Sequence, residues 1–186
     1  MIGFAMCGSY CTHKNALVQM RALADAGYDI LPIMSENVYS TDTRFGTAAQ
    51  LIDTVGSICK KDVIHTVVDA EPIGPKMALD AMVICPCTGN TLAKIAAGIT
   101  DTAVTMAAKA HLRGDRPLVI ALASNDALSA NLKNIGQLLT RKFVYFVPLY
   151  QDDPQKKPHS LIADFSLLLP TLEGAVAGKQ YQKIFI

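Results

Sequence analysis

The sequence predicts an α/β fold of three layers, with a doubly wound, Rossmann-like parallel sheet between two layers of helices. Five short apolar segments alternate with segments whose apolar residues recur at helical spacing. The apolar segments are continuous rather than alternating in polarity, which is typical of strands buried on both faces. Because a helical segment separates each strand from the next, the connections predict right-handed crossovers between parallel strands.

The first two strand and helix pairs follow one another at the start of the chain. Residues 2–6 form an apolar segment that ends at a turn containing Gly8, and residues 14–26 then show helical spacing up to Gly27. A second apolar segment covers residues 28–34. Helical spacing resumes over residues 48–60. This order predicts two successive βα units.

The remaining elements repeat the same alternation. Further strands are predicted at residues 81–85, 118–123 and 143–147, and further helices at residues 91–97, 128–140 and 161–177. Residues 152–158 are polar and lysine-rich, and too little chain follows them for a second domain. We therefore interpret this stretch as a surface loop within a single domain, residues 1–186.

Composition limits the classes of function. Hydrophobic residues make up 51% of the 186 residues and charged residues 18%, which excludes an intrinsically disordered chain. Seventeen basic and sixteen acidic residues leave a formal net charge of +1, so the sequence offers no basic field for a nucleic acid. Such an apolar, nearly neutral chain predicts a homo-oligomer, in which further apolar surface is covered.

Nothing in the sequence predicts export or a membrane span. The apolar residues 1–6 have no basic region before them, and no uninterrupted apolar stretch approaches the roughly 18 residues that cross a bilayer. The five cysteines are odd in number and scattered through apolar segments, which favours reduced thiols over a disulfide framework. We therefore expect a cytoplasmic protein without a membrane partner.

The turns that follow the strands are the candidate binding sites. In an open parallel sheet the ligand crevice lies outside the carboxyl ends of the strands. Residues 8–12 follow the first strand, and their glycine and hydroxyl groups suit a phosphate at the start of a helix. They lack the spacing of a dinucleotide site and the lysine of a P-loop. A plain strand-to-helix turn with a Ser or Thr cap therefore remains an alternative.

Residues 86–91, after the third strand, carry the richest polar cluster. Asn90 offers a donor and an acceptor, Thr88 and Thr91 offer hydroxyls, and Gly89 allows close backbone approach. This combination suits the edge of a heterocycle together with a phosphate. Helix capping by Thr88 or Asn90 is the alternative, and it requires only one of these residues.

The segment 86–96 resembles the P-A-S-A-N-T-x-A-K-I-A signature of the flavin-containing cysteine decarboxylase superfamily. The resemblance implies a flavodoxin-like flavoprotein fold that binds FMN. Gly8 and Ser9 resemble the phosphate turn of that superfamily, and Ser35 stands where its members have a flavin-contacting Thr or Ser. The cofactor-binding residues that we expect are Gly8, Ser9, Tyr10, Ser35, Pro86, Cys87, Thr88, Gly89, Asn90 and Thr91.

Five segments extend the resemblance to a narrower family, the B subunits of dipicolinate synthases. They are residues 71–76, 85–91, 99–102, 109–113 and 145–153. The resemblance implies oxidation of a dihydrodipicolinate-type precursor to dipicolinate during sporulation, in the mother cell, together with an A subunit that binds NADP. It also implies a trimer-based oligomer. Oxidation of the ring requires a hydride acceptor such as a flavin, since amino acids alone cannot accept a hydride.

The predicted substrate is a small dicarboxylate, so its pocket needs cations or N–H donors. Asn125 lies in a motif that keeps the alanine and asparagine of the superfamily's P-A-M-N-x-x-M sequence, and Lys76 follows a proline-rich turn. We expect both to bind substrate. Lys109, His111 and Arg113 are further candidates, with a solvated surface role as the alternative.

Departures from the superfamily pattern keep other functions open. Pro72 stands at about the position of the catalytic histidine of the decarboxylases, and His65 is several residues away, so no catalytic residue is assigned. A decarboxylase or lyase remains an alternative, as does a non-catalytic subunit that activates the A subunit. The cysteines lack paired C-x-x-C spacing, so we expect no metal site, and packing is favoured over a nucleophilic role for Cys87.

Overall fold

The computed structural model describes residues 1–186 and contains one mixed sheet of seven strands with helices on both faces. The strands are β1 (Ile2–Met6), β2 (Ile30–Met34), β3 (Ala81–Cys87), β4 (Leu118–Ser124), β5 (Val144–Phe146), β6 (Leu149–Tyr150) and β7 (Leu161–Ala163). Strands β2, β1, β3, β4 and β5 lie side by side in that order and are parallel. The predicted doubly wound α/β class is confirmed.

Eight α-helices cover the sheet. They are α1 (His13–Asp25), α2 (Glu36–Ser40), α3 (Ala48–Cys59), α4 (Val67–Ala70), α5 (Gly89–Ala97), α6 (Ala103–Leu112), α7 (Leu132–Leu139) and α8 (Leu168–Val176). Helices α1, α3 and α8 pack together on one face, and α5, α6 and α7 pack on the other. No helix is long and apolar enough to cross a bilayer.

The sheet departs from the predicted five parallel strands at its far edge. Strand β4 pairs with β5 through its first half and then with β7 in antiparallel orientation, and β7 pairs with β6. The 152–158 loop joins β6 to β7, so it is a surface loop as predicted. The helix predicted from residue 161 begins only at Leu168, because Leu161 and Ala163 are buried strand residues.

Helix α6 was not predicted, and its burial explains why. Eight of its ten residues are buried, so the segment is apolar on nearly all sides and shows no amphipathic stripe. The Thr102 hydroxyl accepts a hydrogen bond from the Thr105 N–H in a capping box that fixes the start of the helix. The short helices α2 and α4 were also not predicted. They extend the connections after β2 and before β3.

The central strands are buried along their whole length, and this positions the candidate site. Every residue of β1, β2 and β3 is buried, with Phe4 and Met6 among the largest fully buried side chains. Buried apolar side chains of the sheet and of both helical layers form one continuous cluster. The turns that leave the carboxyl ends of β1, β3 and β4 therefore start from rigid strands.

Candidate functional site

A cavity of about 510 Å³ opens at the carboxyl ends of β1, β3 and β4. In the sheet, β2 lies on one side of β1, whereas β3 and then β4 lie on its other side. This reversal of strand order is the point where ligands bind in doubly wound sheets. Of the residues expected to bind cofactor or substrate, the cavity is lined by Gly8, Ser9, Tyr10, Thr88, Gly89 and Asn125.

The turn after β1 is fixed by hydrogen bonds within the chain. The Cys7 N–H donates to the Pro86 carbonyl at 3.1 Å, which ties this turn to the one after β3. The Thr12 hydroxyl donates to the Ser9 carbonyl at 2.8 Å. The Tyr10 hydroxyl donates to the Asn37 carbonyl at 3.1 Å. These bonds fix the cavity wall formed by residues 8–12.

The histidine at the start of α1 supports the same turn. A ring nitrogen of His13, Nε2, lies 2.8 Å from the Cys7 carbonyl oxygen, and the side chain is buried. Burial lowers the pKa of His13, while the contact with the Cys7 carbonyl opposes that shift. A neutral His13 that donates from Nε2 satisfies this carbonyl, so His13 holds the turn in place.

The turn after β3 leads into α5 and leaves backbone donors free. Thr88 is the N-cap of α5, and its hydroxyl oxygen accepts from the Thr91 N–H at 3.2 Å. The first N–H groups of the helix, those of Gly89 and Asn90, have no acceptor in the preceding turn of helix. Together with the dipole of α5 they form a site for an anion. The Asn90 side chain is exposed and makes no hydrogen bond within the chain.

Gly89 is required by the close approach of α5 to the turn after β4. A β-carbon at this position would clash with Ser124 Oγ, and it would lie 2.6 Å from Asn131 Nδ2 and 2.7 Å from Asp126 Oδ1. The Ser124 hydroxyl and the Asn131 side-chain amide both donate to the Asp126 carboxylate. These bonds, that of Ser124 first, lower the pKa of Asp126, so a fixed carboxylate forms part of the cavity wall.

The other predicted cofactor residues lie outside the lining of this cavity. The Ser35 N–H donates to the Met6 carbonyl at 3.0 Å, and Ser35 is the N-cap of α2, beyond β2. Pro86, Cys87 and Thr91 are buried. Burial raises the pKa of the Cys87 thiol well above its ordinary value. This favours the predicted packing role for Cys87 over a nucleophilic one.

Lys76 and the further cationic candidates lie at the opposite end of the sheet. The turn that contains Lys76 precedes β3, so it lies at the amino end of that strand, where Gly74 packs on the backbone of Ala110 in α6. His111 is buried against the Pro117 carbonyl at 2.9 Å. Lys109 and Arg113 are exposed at the end of α6. Within one chain these residues do not reach the cavity.

Two charged segments that the sequence did not single out do reach it. Arg44 and Phe45, from the loop between α2 and α3, line the cavity, and the Arg44 guanidinium carbon lies 4.9 Å from the centroid of the Phe45 ring. Asp152 and Lys157, from the loop between β6 and β7, also line it and form an ion pair at 2.7 Å. Neither segment directly follows a strand of the parallel sheet, so only the folding of the two loops brings these residues to the strand ends.

A second cavity of about 520 Å³ adjoins the first, between α1 and α3. The two cavities share Tyr10, Cys11 and Phe45 in their linings. The second cavity is lined on one side by apolar residues that include Leu17 and Leu51. The combined space therefore has an anion-binding end at the helix start and an apolar extension, which suits a ligand with a charged group and a flat ring.

Side chains that could hold a metal do not cluster anywhere in the chain. No group of three or more His, Cys, Asp or Glu side chains is placed to bind an ion. Cys7, Cys85 and Cys87 are buried, and burial raises the pKa of each, that of Cys7 to about 11. Cys11 is exposed beside the cavity. The site thus offers hydroxyl, amide and backbone donors for binding.

Known proteins resemble this chain over most of its length. The Flavoprotein family profile matches residues 1–164. The B subunit of dipicolinate synthase from Bacillus subtilis strain 168 is 42% identical over 185 residues, which cover 100% of this chain and 92% of the relative. The crystal structure of the dipicolinate synthase B subunit from Bacillus halodurans superimposes with a TM-score of 0.92 at 43% identity, covering 100% and 95% of the two chains. The FMN-dependent cysteine decarboxylase SpaF shares the fold, with a TM-score of 0.70 at 21% identity over 95% and 96%.

Proposed function

The chain belongs to the Flavoprotein family and, within it, to the B subunits of dipicolinate synthases, and we propose that it is an FMN-binding oxidoreductase subunit. Its reaction is the oxidation of a dihydrodipicolinate-type precursor to dipicolinate. The observation that carries the proposal is the meeting of the turns after β1 and β3 in one cavity at the point where strand order reverses.

The residues of the cavity fit FMN by their donor chemistry. The free N–H groups at the start of α5 and the hydroxyl of Ser9 suit the phosphate. The adjoining apolar cavity between α1 and α3 suits a flat ring. Asn90 lies next to Gly89 but outside the lining of both cavities, and its exposed amide is free to pair with the edge of a heterocycle. When bound, FMN supplies a two-electron acceptor, which amino-acid side chains do not provide.

The substrate is placed by the turn after β4. Asn125 lines the cavity, is exposed, and makes no hydrogen bond within the chain, so its amide N–H groups are free to bind a carboxylate. Aromatisation of the ring removes two electrons and two protons. The chain contributes binding and orientation to this step. NADP, in this proposal, enters through the A subunit.

The assembly proposed for the chain follows its relatives. Residues 1–186 act as one domain, in a trimer-based homo-oligomer that works with an A subunit in the cytoplasm of the mother cell of a sporulating bacterium. A dodecameric, FMN-dependent decarboxylase with a similar fold supports the higher oligomer. The relatives that cover the full chain are named as B subunits, which supports the A-subunit partner.

Titration with FMN tests the cofactor. The purified chain is expected to quench FMN fluorescence saturably in the micromolar range and to shift the visible absorption of the flavin. A chain that leaves both signals unchanged contradicts the FMN proposal. The second step adds the A subunit and measures dipicolinate formation. Full activity of the isolated A subunit would remove the catalytic role of this chain.

One observation favours a second function, activation of the A subunit without catalysis. The acidic side chains that line the cavity are already engaged, Asp126 by Ser124 and Asn131, and Asp152 by Lys157. A free general base is therefore not evident among them. If the chain stimulates the A subunit equally with and without FMN, the activator function is supported. A decarboxylase or lyase function predicts instead release of CO₂ from a carboxylated substrate.

A further inference from the structure

The loop of residues 41–47, between α2 and α3, presents Arg44 and Phe45 at its tip. Two backbone hydrogen bonds close the tip, from the Thr43 N–H to the Gly46 carbonyl at 3.0 Å and from the Gly46 N–H to the Thr43 carbonyl at 3.1 Å. Gly46 has a φ of +139°, a conformation that other residues rarely adopt. The tip is therefore a defined turn rather than a loose connection.

The base of the loop is anchored on α3. The Asp42 carboxylate accepts from the Ala48 N–H at 2.9 Å. Thr47 forms a capping box with Gln50, in which each side chain accepts from the backbone N–H of the other residue. With both its tip and its base hydrogen-bonded, the 41–47 loop holds Arg44 and Phe45 as a preformed part of the cavity wall.

Arg44 is the cation of the cavity that has no acidic partner. Lys157 is the other lysine or arginine in the lining, and Asp152 pairs with it at 2.7 Å. Arg44 forms neither a salt bridge nor a side-chain hydrogen bond, and its guanidinium lies 4.9 Å from the centroid of the Phe45 ring. A guanidinium offers a planar fork of donors that matches a carboxylate. The position therefore suits an anionic group on a ligand.

Phe45 adds a requirement for a flat ligand. Its side chain is 56% exposed although it borders both cavities. An exposed aromatic ring at a cavity mouth gains from a second ring that covers it, in an offset-stacked or edge-to-face arrangement. Arg44 and Phe45 are consecutive, so a planar ring that carries a carboxylate can contact both side chains at once.

From these contacts we propose that Arg44 and Phe45 form the binding element for the ring dicarboxylate, with Arg44 on one carboxylate and Phe45 against the ring. This proposal rests on the proposed function, because the ligand it names is the substrate or product of that reaction. The same chemistry, a flat ring with an anionic group, also describes FMN. The donors that suit the FMN phosphate lie instead at Ser9 and at the start of α5.

Calorimetric titration with dipicolinate tests the proposal, on the full chain with and without saturating FMN. Arg44→Gln is expected to weaken dipicolinate binding about tenfold or more, because it removes a charge-assisted bidentate contact. Phe45→Leu is expected to weaken it about two- to tenfold, through loss of the aromatic contact. FMN affinity is expected to be unchanged in Arg44→Gln, whereas Phe45→Leu is compared by its dipicolinate affinity alone, because Phe45 also borders the apolar cavity proposed for the flavin ring. Arg21→Gln, at an exposed arginine of α1 outside this cavity, is the matched control for lost charge.

Three other outcomes overturn the assignment. If the wild-type chain binds no dipicolinate, with or without FMN, the proposed binding site is ruled out. An Arg44→Gln chain that loses FMN affinity but keeps dipicolinate affinity assigns Arg44 to the cofactor phosphate. Equal losses of dipicolinate affinity in Arg44→Gln and Arg21→Gln would show that only the net charge of the chain matters. Because FMN is titrated separately, a chain that binds dipicolinate through Arg44 but binds no FMN contradicts the cofactor proposal and leaves this one standing.

Discussion

At the amino end of the parallel sheet two polar side chains hold loops by bonding to the backbone, whereas at the carboxyl end two side-chain amides are free. His111 Nε2 lies 2.9 Å from the Pro117 carbonyl oxygen, and Arg116 donates to the Leu79 carbonyl at 2.6 Å. By contrast, Asn90 and Asn125 at the carboxyl end are exposed and make no hydrogen bond within the chain. His111 and Arg116 thus hold loops at the amino end, and Asn90 and Asn125 are available for a ligand at the carboxyl end.

Burial explains the difference between the two ends. A buried polar group without a partner costs free energy, and one ring nitrogen of the buried His111, Nε2, is paired with the Pro117 carbonyl, whereas its Nδ1 has no partner. His13 follows the same rule at the carboxyl end, because it is buried and bonded to Cys7. The free amides are all exposed, where water satisfies them at little cost. A ligand that displaces this water must replace its hydrogen bonds.

The largest expected effect comes from Gly89→Ala at the carboxyl end. The added methyl group would meet Ser124, Asp126 and Asn131 at less than van der Waals distance. We expect the unfolding free energy to fall by about 1 to 3 kcal/mol, as in other overpacked sites, and FMN affinity to fall with it. Urea denaturation and FMN titration measure the two effects.

Two further variants sharpen that comparison. Gly136→Ala lies in α7 with nothing within 4 Å of the new methyl group, so it is expected to raise the unfolding free energy by about 0.4 to 1 kcal/mol. Ser124→Ala removes the nearest atom, so it is expected to restore part of the stability of the Gly89→Ala chain. Unchanged stability and FMN affinity in Gly89→Ala would contradict the close approach of α5 to this turn.

Asn90→Ala removes a free amide from the carboxyl end. We expect FMN binding to weaken by about 1 to 3 kcal/mol, the cost of leaving a buried polar partner of the ligand unpaired. Asn15→Ala, at another exposed asparagine, on α1, is the control and is expected to leave FMN affinity unchanged. Equal affinities in all three chains, measured by fluorescence quenching, would remove Asn90 from the site.

Arg116→Met tests the amino end. The change removes the hydrogen bond to the Leu79 carbonyl, so the unfolding free energy is expected to fall by about 1 to 2 kcal/mol. FMN affinity is expected to stay as in the wild type, because Arg116 lies at the other end of the sheet. Arg113→Met, an exposed neighbour, is expected to change stability by less than about 0.5 kcal/mol. Loss of FMN affinity in Arg116→Met would break the division of roles between the two ends.

Much of the fold and of the family could be predicted from the sequence. Continuous apolar segments located the five parallel strands, because strands buried on both faces carry no polar residues. The signature at residues 86–96 led to the family that the full-length relatives confirm. Strands β6 and β7 have only two and three residues, too few for a pattern. Helix α6 is buried on nearly all sides, so its sequence shows no amphipathic period.

The candidate site was predicted only in the turns that directly follow strands. Gly8, Thr88 and Asn125 line the cavity because the carboxyl ends of parallel strands meet at one edge. Lys76 is near β3 in sequence, but the turn before a strand lies at the other end of the sheet. Arg44 could not be found, because its position depends on how the 41–47 loop folds over the strand ends.

The smallest expected effect is a dependence of stability on pH, to which both ends contribute. Burial lowers the pKa of His13 and of His111 from the ordinary value of 6.5. Between the folded and unfolded pKa values the unfolded chain binds more protons, so stability rises with pH there. This contribution is fully present above pH 6.5 and is lost as the pH falls below it.

Urea denaturation at pH 7.5 and pH 6 measures this contribution, with an expected loss of about 1 kcal/mol or less. The variants His13→Gln and His111→Gln keep a side-chain donor but cannot titrate. Each is therefore expected to reduce the difference in unfolding free energy between the two pH values. Hydrogen bonds lower the pKa values of the Asp126 and Asp152 carboxylates from the ordinary value of 3.8. Neither carboxylate therefore changes its charge between pH 6 and pH 7.5. If stability is equal at the two pH values in the wild type, the histidines do not hold the two ends as neutral donors. If only His13→Gln alters FMN affinity, the histidine at the carboxyl end supports the ligand turn while that at the amino end supports the fold alone.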